Sequence, residues 1–269
     1  MKIISNKYEL AKFIINEKNL GFVPTMGAIH LGHIALIKKS ISQCDKTVVS
    51  IFVNKPQFNK NSDYKNYPRI KNKDVSVLKK LKVDYLFMPK ENDIYEDGYN
   101  KKIKISNLKR KLCGKFRPGH FEAVVDVVDR FIKIIKPKNV YFGEKDMQQL
   151  KIIEHYIKKN KIKTNVIGCK TVREKNGIAY SSRNLLLTKK QKIIASKICK
   201  FLMNKKNKII KNKKLLPIIK KYIFDLGVNK IDYLELIDIN KLIKPIIKKS
   251  KYRVFLSYHL GNVRLIDNI

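Results

Sequence analysis

Two histidines, His30 and His33, close the stretch FVPTMGAIHLGH at residues 22–33. The stretch opens as an apolar strand and passes through a turn containing Pro24 and Gly27. An amphipathic pattern then begins at Ile34, Ile37 and Ile41. Strand, glycine turn and helix start form an anion-binding corner, where backbone N–H groups and the positive end of a helix dipole (about half a charge) converge. Residues three apart on a forming helix share a face, so both imidazoles would meet one ligand. A negatively charged, phosphate-like transition state suits such a pair. The histidines could instead ligate a metal or pair structurally. No third ligand stands nearby in sequence, however, and Gly32 between them favours close backbone approach.

Three more segments combine turn residues with groups that can do chemistry. In FVNKPQF, Asn54 and Gln57 are uncharged amides, suited to a small acid's carboxylate or hydroxyl and equally to capping a loop. In FGEKDMQQL, Gly143 permits a tight turn, Glu144 or Asp146 can cap the next helix, and Lys145 can reach phosphate as a point charge. Gln149 lies four residues after Lys145, on the same helix face. In AYSSRN, Ser181, Ser182 and Arg183 on a connector make a mobile anion clamp, although serine-rich connectors are common. Arg117 to His120 add a basic turn at a helix start.

These segments need elements to position them. Residues 1–19 read as a helix, 20–25 as a strand, 31–44 as a helix and TVVSIFVN at 47–54 as a strand buried on both faces. A polar loop follows, then a helix over 74–82, a strand over 83–88 and an irregular stretch over 91–118. FEAVVDVVDRFIKIIKP reads as a long helix ended by Pro137. A short strand at 140–142, a helix to 157 and a strand over 163–172 complete an alternation that predicts a doubly wound parallel α/β sheet. Each chemical segment then follows a strand or lies in a connector, and ligands of such sheets sit at the carboxyl ends of strands. After 176 come helices over 188–213 and 215–226 and strands over 231–237, 252–260 and 263–266, which predict a smaller α+β domain.

Composition narrows the partners. Of 269 residues, 60 are Lys or Arg and 22 Asp or Glu, a net charge of +38. The excess is mostly Lys, accompanies abundant Ile and Asn, and is spread from end to end. Codon drift explains that pattern without any ligand, a selected polyanion-binding surface being the alternative, and no specific nucleic-acid partner is expected. Lys7 and Glu9 interrupt any signal-peptide apolar run, and no stretch approaches the roughly 18 apolar residues of a membrane span, so a cytoplasmic protein without membrane contact is expected. Cys44, Cys113, Cys169 and Cys199 show no zinc or disulfide spacing and read as reduced thiols.

Taken together, the segments resemble the pantothenate synthetases, which join pantoate to β-alanine using ATP. VPTMGAIHLGH matches that family's VPTMG and H-x-G-H. SIFVNKPQF matches its second block, except that Lys55 stands directly after Asn54, where the family usually has Pro, and Pro56 precedes Gln57. Tyr67 to Arg69, RPGHF at 117–121, FGEKD with QQL at 142–150, SSRN at 181–184 and the ending LGNVRLIDN follow in the family's order. Tyr180 stands where Met or Leu is more usual. The resemblance implies a Rossmann-like nucleotide- and pantoate-binding domain over 1–175, a smaller C-terminal domain over 176–269 closing over the site, and a homodimer. It implies an adenylate intermediate, ATP as co-substrate and Mg²⁺ on its phosphates, with no protein ligand named for the metal. Met26, Gly27, Ala28, Ile29, His30, Leu31, Gly32 and His33 would contact ATP, with His33 the proton donor and His30 and Lys145 beside it in catalysis. Gly143, Glu144, Lys145 and Asp146, the backbone of Val172, and Tyr180, Ser181, Ser182 and Arg183 would complete the nucleotide site. Gln57 and Gln149 would hold pantoate, and Gln57 would also meet β-alanine.

Overall fold

The computed structural model describes residues 1–100, 103–239, 242 and 251–269. Six strands form one sheet: β1 (Lys2–Ile4), β2 (Leu20–Thr25), β3 (Lys46–Ile51), β4 (Tyr85–Phe87), β5 (Asn139–Gly143) and β6 (Asn165–Cys169). Their order is β1-β4-β3-β2-β5-β6 and every pair is parallel. Parallel strands need crossovers, and the helices that supply them cover both faces. Alternate residues show this directly. Val23, Val49, Leu86 and Tyr141 cluster with Leu36 and Ile37 of the Leu31–Gln43 helix and Leu78 of the Lys71–Lys80 helix. Phe22 and Phe87, one position away on their strands, point to the opposite face. There the Phe131 ring of the His120–Ile135 helix meets theirs at 5.5 and 6.0 Å. This is the doubly wound, Rossmann-like arrangement.

The strand order reverses at β2, with β3 on one side and β5 on the other. The β2–β3 register runs through all of Leu20–Thr25, but the β2–β5 register holds only Gly21 and Phe22. The Leu20 carbonyl accepts from Lys138 N–H at 2.8 Å, on the β5 side. Alternation then turns Phe22 and Pro24 toward β5 as well. Pro24 has no N–H to give, so the ladder ends there and the two strand ends part. Gly21 is needed for a different reason: a Cβ there would lie 2.1 Å from Ser40 Oγ, so the Leu31–Gln43 helix packs this close only over glycine.

A second sheet, antiparallel and three-stranded, orders β7 (Lys230–Asp238), β8 (Tyr252–Leu260) and β9 (Val263–Asn268) in sequence. Ile198, Leu202 and Ile209 of the Lys189–Lys211 helix and Ile219 and Ile223 of the Leu216–Asp225 helix cluster with Val254, Leu256 and Tyr258. A bulge between Ile231 and Tyr233 turns Asp232 to Ser257, His259 and Arg264. The described residues divide into two compact units, Met1–Glu144 with Gln149–Lys170, and Lys145–Gln148 with Thr171–Ile269. All four cysteines are buried and none is in a disulfide. No helix among the described residues is long and apolar enough to cross a membrane.

Several sequence expectations are corrected. Residues 1–19 are not one helix. Lys2–Ile4 is β-branched and pairs with β4, and the helix begins only at Lys7, capped by Asn6. The strand expected over 163–172 spans Asn165–Cys169, because its partner β5 offers five residues to pair with. The stretch 91–118 holds short helical turns at Glu91–Ile94, Asn107–Arg110 and Leu112–Phe116; residues 101 and 102 lie outside the described residues.

Candidate active site

The turn after β2 is held by a residue far from it in sequence. Gly27 and Ala28 both take left-handed backbone, with φ of 80° and 50°. For Ala28 that conformation costs about 1–2 kcal/mol. Asp74, 1% exposed, offsets the cost: Oδ2 accepts the Ala28 N–H at 2.8 Å and Oδ1 the Ile29 N–H at 2.7 Å. Gly27 N–H donates to Thr25 Oγ1 at 3.1 Å, and the Thr25 hydroxyl donates to the Ser50 carbonyl at 2.7 Å. A Cβ at Gly27 would also meet Asp74 Oδ2 at 3.0 Å. Backbone donors expected to face an anion thus hold the turn's shape instead. What the corner presents outward is the first helical turn, whose N–H groups have no intrahelical acceptor, and the two imidazoles.

His30 is the N-cap of the Leu31–Gln43 helix, and its Nδ1 accepts the His33 N–H at 3.4 Å. An accepting Nδ1 carries no proton, so the neutral ring carries its proton on Nε2 as a donor. The two rings stack with centroids 3.9 Å apart and planes 16° from parallel. The sequence expectation that they share a face holds.

Past β3, Lys55–Gln57 forms a one-turn 3-10 helix with Pro56 at its start. Asn54 is buried. Its Nδ2 donates to Gln57 Oε1 at 3.1 Å and to the Ala123 carbonyl at 3.3 Å, while its Oδ1 accepts from Tyr95 Oη at 2.6 Å. Burial, reinforced by the nearby Asp126 charge, pushes the Tyr95 phenol far above its ordinary pKa, so it remains a donor. Gln57 Nε2 reaches Met26 Sδ at 3.0 Å. The Gln57 carbonyl accepts from Arg117 Nη2 at 3.0 Å and His120 Nδ1 at 2.8 Å. Arg117 Nη1 meets His120 Nε2 at 2.9 Å, which fixes the ring with its proton on Nδ1. The basic turn at 117–120 therefore braces the Gln57 loop.

Past β5, the expected reason for Gly143 does not apply. Its backbone is not left-handed, and a Cβ there would meet nothing within 4 Å. Glu144–Asp146 is a one-turn 3-10 helix leading into the Met147–Lys159 helix, in whose first turn Gln149 lies half-buried. Lys145 Nζ stands 3.7 Å from Asp146 Oδ1. In the second unit the connector is tied down rather than loose. Arg173 and Ala179 bridge in antiparallel fashion, and the Val172 carbonyl accepts the Tyr180 N–H at 3.0 Å. Ser181 caps the 3-10 turn Ser182–Leu186, its Oγ accepting the Arg183 N–H at 3.3 Å, which keeps the hydroxyl proton available to donate. Asn184 Nδ2 anchors that turn to Glu174 Oε1 at 2.9 Å and to the Ala179 carbonyl at 3.1 Å.

Sequence reasoning missed Asp74. It reads only as an acid at a helix start, and its partners lie 46 and 45 residues away. It missed Tyr95 for the same reason. The one legible signal is an acidic residue within the otherwise basic RIKNKD.

Comparison with known proteins identifies the family. Residues 2–269 match the family described as pantoate-beta-alanine ligase. A pantothenate synthetase of Sulfurihydrogenibium sp. (strain YO3AOP1) is 40% identical over 279 residues, covering 100% of this chain and 99% of that protein. The crystal structure of pantothenate synthetase from Thermus thermophilus superposes with a TM-score of 0.93 at 31% identity, covering 100% of this chain and 99% of that one. The Francisella tularensis pantoate-beta-alanine ligase, solved in complex with beta-gamma ATP and beta-alanine, superposes at 0.86 with 38% identity, covering 100% and 97%. Matched from residue 2 to its last residue, with a full-length relative at 40% identity, the chain belongs to the pantoate-beta-alanine ligase family.

Proposed function

We propose that this chain condenses pantoate with β-alanine in two steps driven by ATP. A carboxylate is inert toward amines near neutral pH and needs a better leaving group. In the first step a pantoate carboxylate oxygen bonds to the α-phosphorus of ATP as the bond to pyrophosphate breaks. In the second, the unprotonated β-alanine amine attacks the acyl carbon, the bond to AMP breaks, and the amine sheds a proton.

The observation that carries this reading is the 3.0 Å contact of Gln57 Nε2 with Met26 Sδ. It sets the amide assigned to the acid beside the first residue assigned to the nucleotide, as in-line attack of one on the other demands. Gln57 and Gln149 orient pantoate, and the braced Gln57 loop also serves β-alanine. Met26, Gly27, Ala28, Ile29, Leu31 and Gly32 shape the nucleotide side of the corner. His30 presents Nε2–H, and His33 acts as the proton donor to the departing pyrophosphate. Lys145, Ser181, Ser182 and Arg183 stabilise phosphate charge, with Gly143, Glu144, Asp146, Val172 and Tyr180 completing the nucleotide contacts. Fixed donors of this kind are usually the largest catalytic contribution.

Among the described residues no group of three or more His, Cys, Asp or Glu could hold a metal ion. The residues therefore do not fit a protein-built metal cage, and no step is routed through Mg²⁺, which enters as the counter-ion of ATP. The proposal includes a homodimer in the cytoplasm and closure of the C-terminal domain during turnover. The test is omission. Pyrophosphate should appear with ATP and pantoate alone, and stoichiometric AMP only once β-alanine is added. Pyrophosphate release independent of pantoate would overturn the reading.

A further inference from the structure

The last residues of β9 and the one after it are buried and firmly bonded. Asp267, Asn268 and Ile269 are 6%, 3% and 8% exposed. Ile269 exchanges backbone hydrogen bonds with Val254 at 2.9 and 3.0 Å. The Asp267 carboxylate takes a two-pronged bond from Arg173, Nη1 to Oδ2 at 2.7 Å and Nη2 to Oδ1 at 2.8 Å. Arg173 Nη2 also donates to the Asn268 carbonyl at 3.2 Å. This fork–fork geometry fixes the angle at which β9 presents its last side chains.

The Asn268 side chain is specified at both ends. Its Oδ1 accepts from Arg253 Nη1 at 2.8 Å, and its Nδ2 donates to the backbone carbonyl of Lys145 at 2.8 Å. Arg253 can only donate and a carbonyl can only accept, so the amide has one permitted orientation. Lys145 sits in a 3-10 helix of three residues, too short for a repeating ladder to hold its backbone. A buried, doubly anchored amide gripping that carbonyl supplies the constraint.

We infer that Asn268, set by the Arg173–Asp267 clamp and by Arg253, is a positioning residue that holds Lys145 for the adenylation step. The inference rests on the role proposed above for Lys145. The alternative is that Asn268 only ties down the strand end, contributing stability and nothing to catalysis.

Asn268→Asp separates the two. It keeps the shape and the Arg253 partner but puts an oxygen where Nδ2 donated, so the grip on the Lys145 carbonyl becomes repulsion. Pantoate-dependent pyrophosphate release, the KM for pantoate and the thermal midpoint are measured for Asn268→Asp, Asn268→Ala, Lys145→Ala and the Lys145→Ala/Asn268→Asp double variant. Expected are a fall in kcat of about a hundredfold at most for Asn268→Asp, the scale of a small misplacement of a reacting group, and an unchanged pantoate KM. The midpoint should fall, since a buried satisfied amide is lost, but stay well above the assay temperature, and Asn268→Asp should cause no further loss on the Lys145→Ala background. Unimpaired kcat in Asn268→Asp, loss that adds in full to that of Lys145→Ala, or loss in both Asn268 variants that only tracks a fallen midpoint overturns the inference alone. Unimpaired adenylation by Lys145→Ala instead refutes the role of Lys145, and the inference falls with it.

Discussion

His30 commits one ring nitrogen to the helix cap, which divides the work between the two imidazoles. With Nδ1 accepting the His33 N–H, His30 commits its ring to the cap, whereas His33 is bound to the cap through its backbone. The proton-donor role is the one proposed for His33. Changing His33 to Ala should slow pantoate-dependent pyrophosphate release by at least about a hundredfold, the lower end for a lost transition-state donor; near-normal single-turnover rates would remove it from the mechanism. Asp74 is assigned to no substrate, yet its two oxygens hold the left-handed Ala28 and the adjoining Ile29 in place. Asp74→Asn retains one acceptor and loses the other. It should lower stability by about 1.5–3 kcal/mol, the range for hydrogen bonds to charged groups, and weaken ATP binding as the turn relaxes. Denaturant unfolding with and without ATP checks both, and a variant as stable as the parent would show that the turn holds itself.

At the level of elements, the long periodic segments were legible and the short ones were not. The helix His120–Ile135 and the strands at 20–25 and 252–260 show their periods plainly, because each buries a continuous face. β1 reads as part of a helix because three residues cannot display alternation, and only its pairing with β4 makes it a strand. The site blocks were legible as local patterns and as a family resemblance. Their supports, Asp74, Tyr95 and Asn268, were not, because each acts on a partner far along the chain. The small sheet carries an acid-sensitive element. Burial lowers the pKa of His259 against the pull of Asp232. Burial alone would raise Asp232, but Arg264, Ser257 and His259 together hold it below its ordinary value. A histidine lowered in the fold takes up its proton first in the unfolded chain, so stability falls as pH drops through the unfolded value near about 6.5. A carboxylate lowered in the fold contributes stability above its unfolded value and loses it as pH falls through the lower folded one. Both signs point the same way. The thermal midpoint should drop from pH 7 to pH 5, and the drop should be shallower in His259→Gln. An equally steep drop in that variant would move the sensitivity elsewhere.

For the whole molecule the governing quantity is the net charge of +38. In the Lys189–Lys211 helix Ile198, Leu202 and Ile209 are buried while Lys197, Lys200, Lys208 and Lys211 face water, the pattern of solvated faces. Such an excess repels itself, and salt relieves it: the screening length contracts from about 30 Å at 0.01 M to about 8 Å at 0.15 M. The thermal midpoint should therefore rise over that range while kcat/KM for the anionic substrates falls, and a midpoint indifferent to salt would mean that the lysines are too dispersed to strain the fold. Pro24 raises a different matter, that of improvement. By withholding one N–H on the β5 side it forgoes a ladder bond worth about 0.5–1.5 kcal/mol at the position where the sheet must part. Selection for heat resistance alone would favour a residue that closes the gap, such as Pro24→Val, and would harden the protein at the expense of its reaction. Any search for a sturdier version of this chain should leave position 24 untouched.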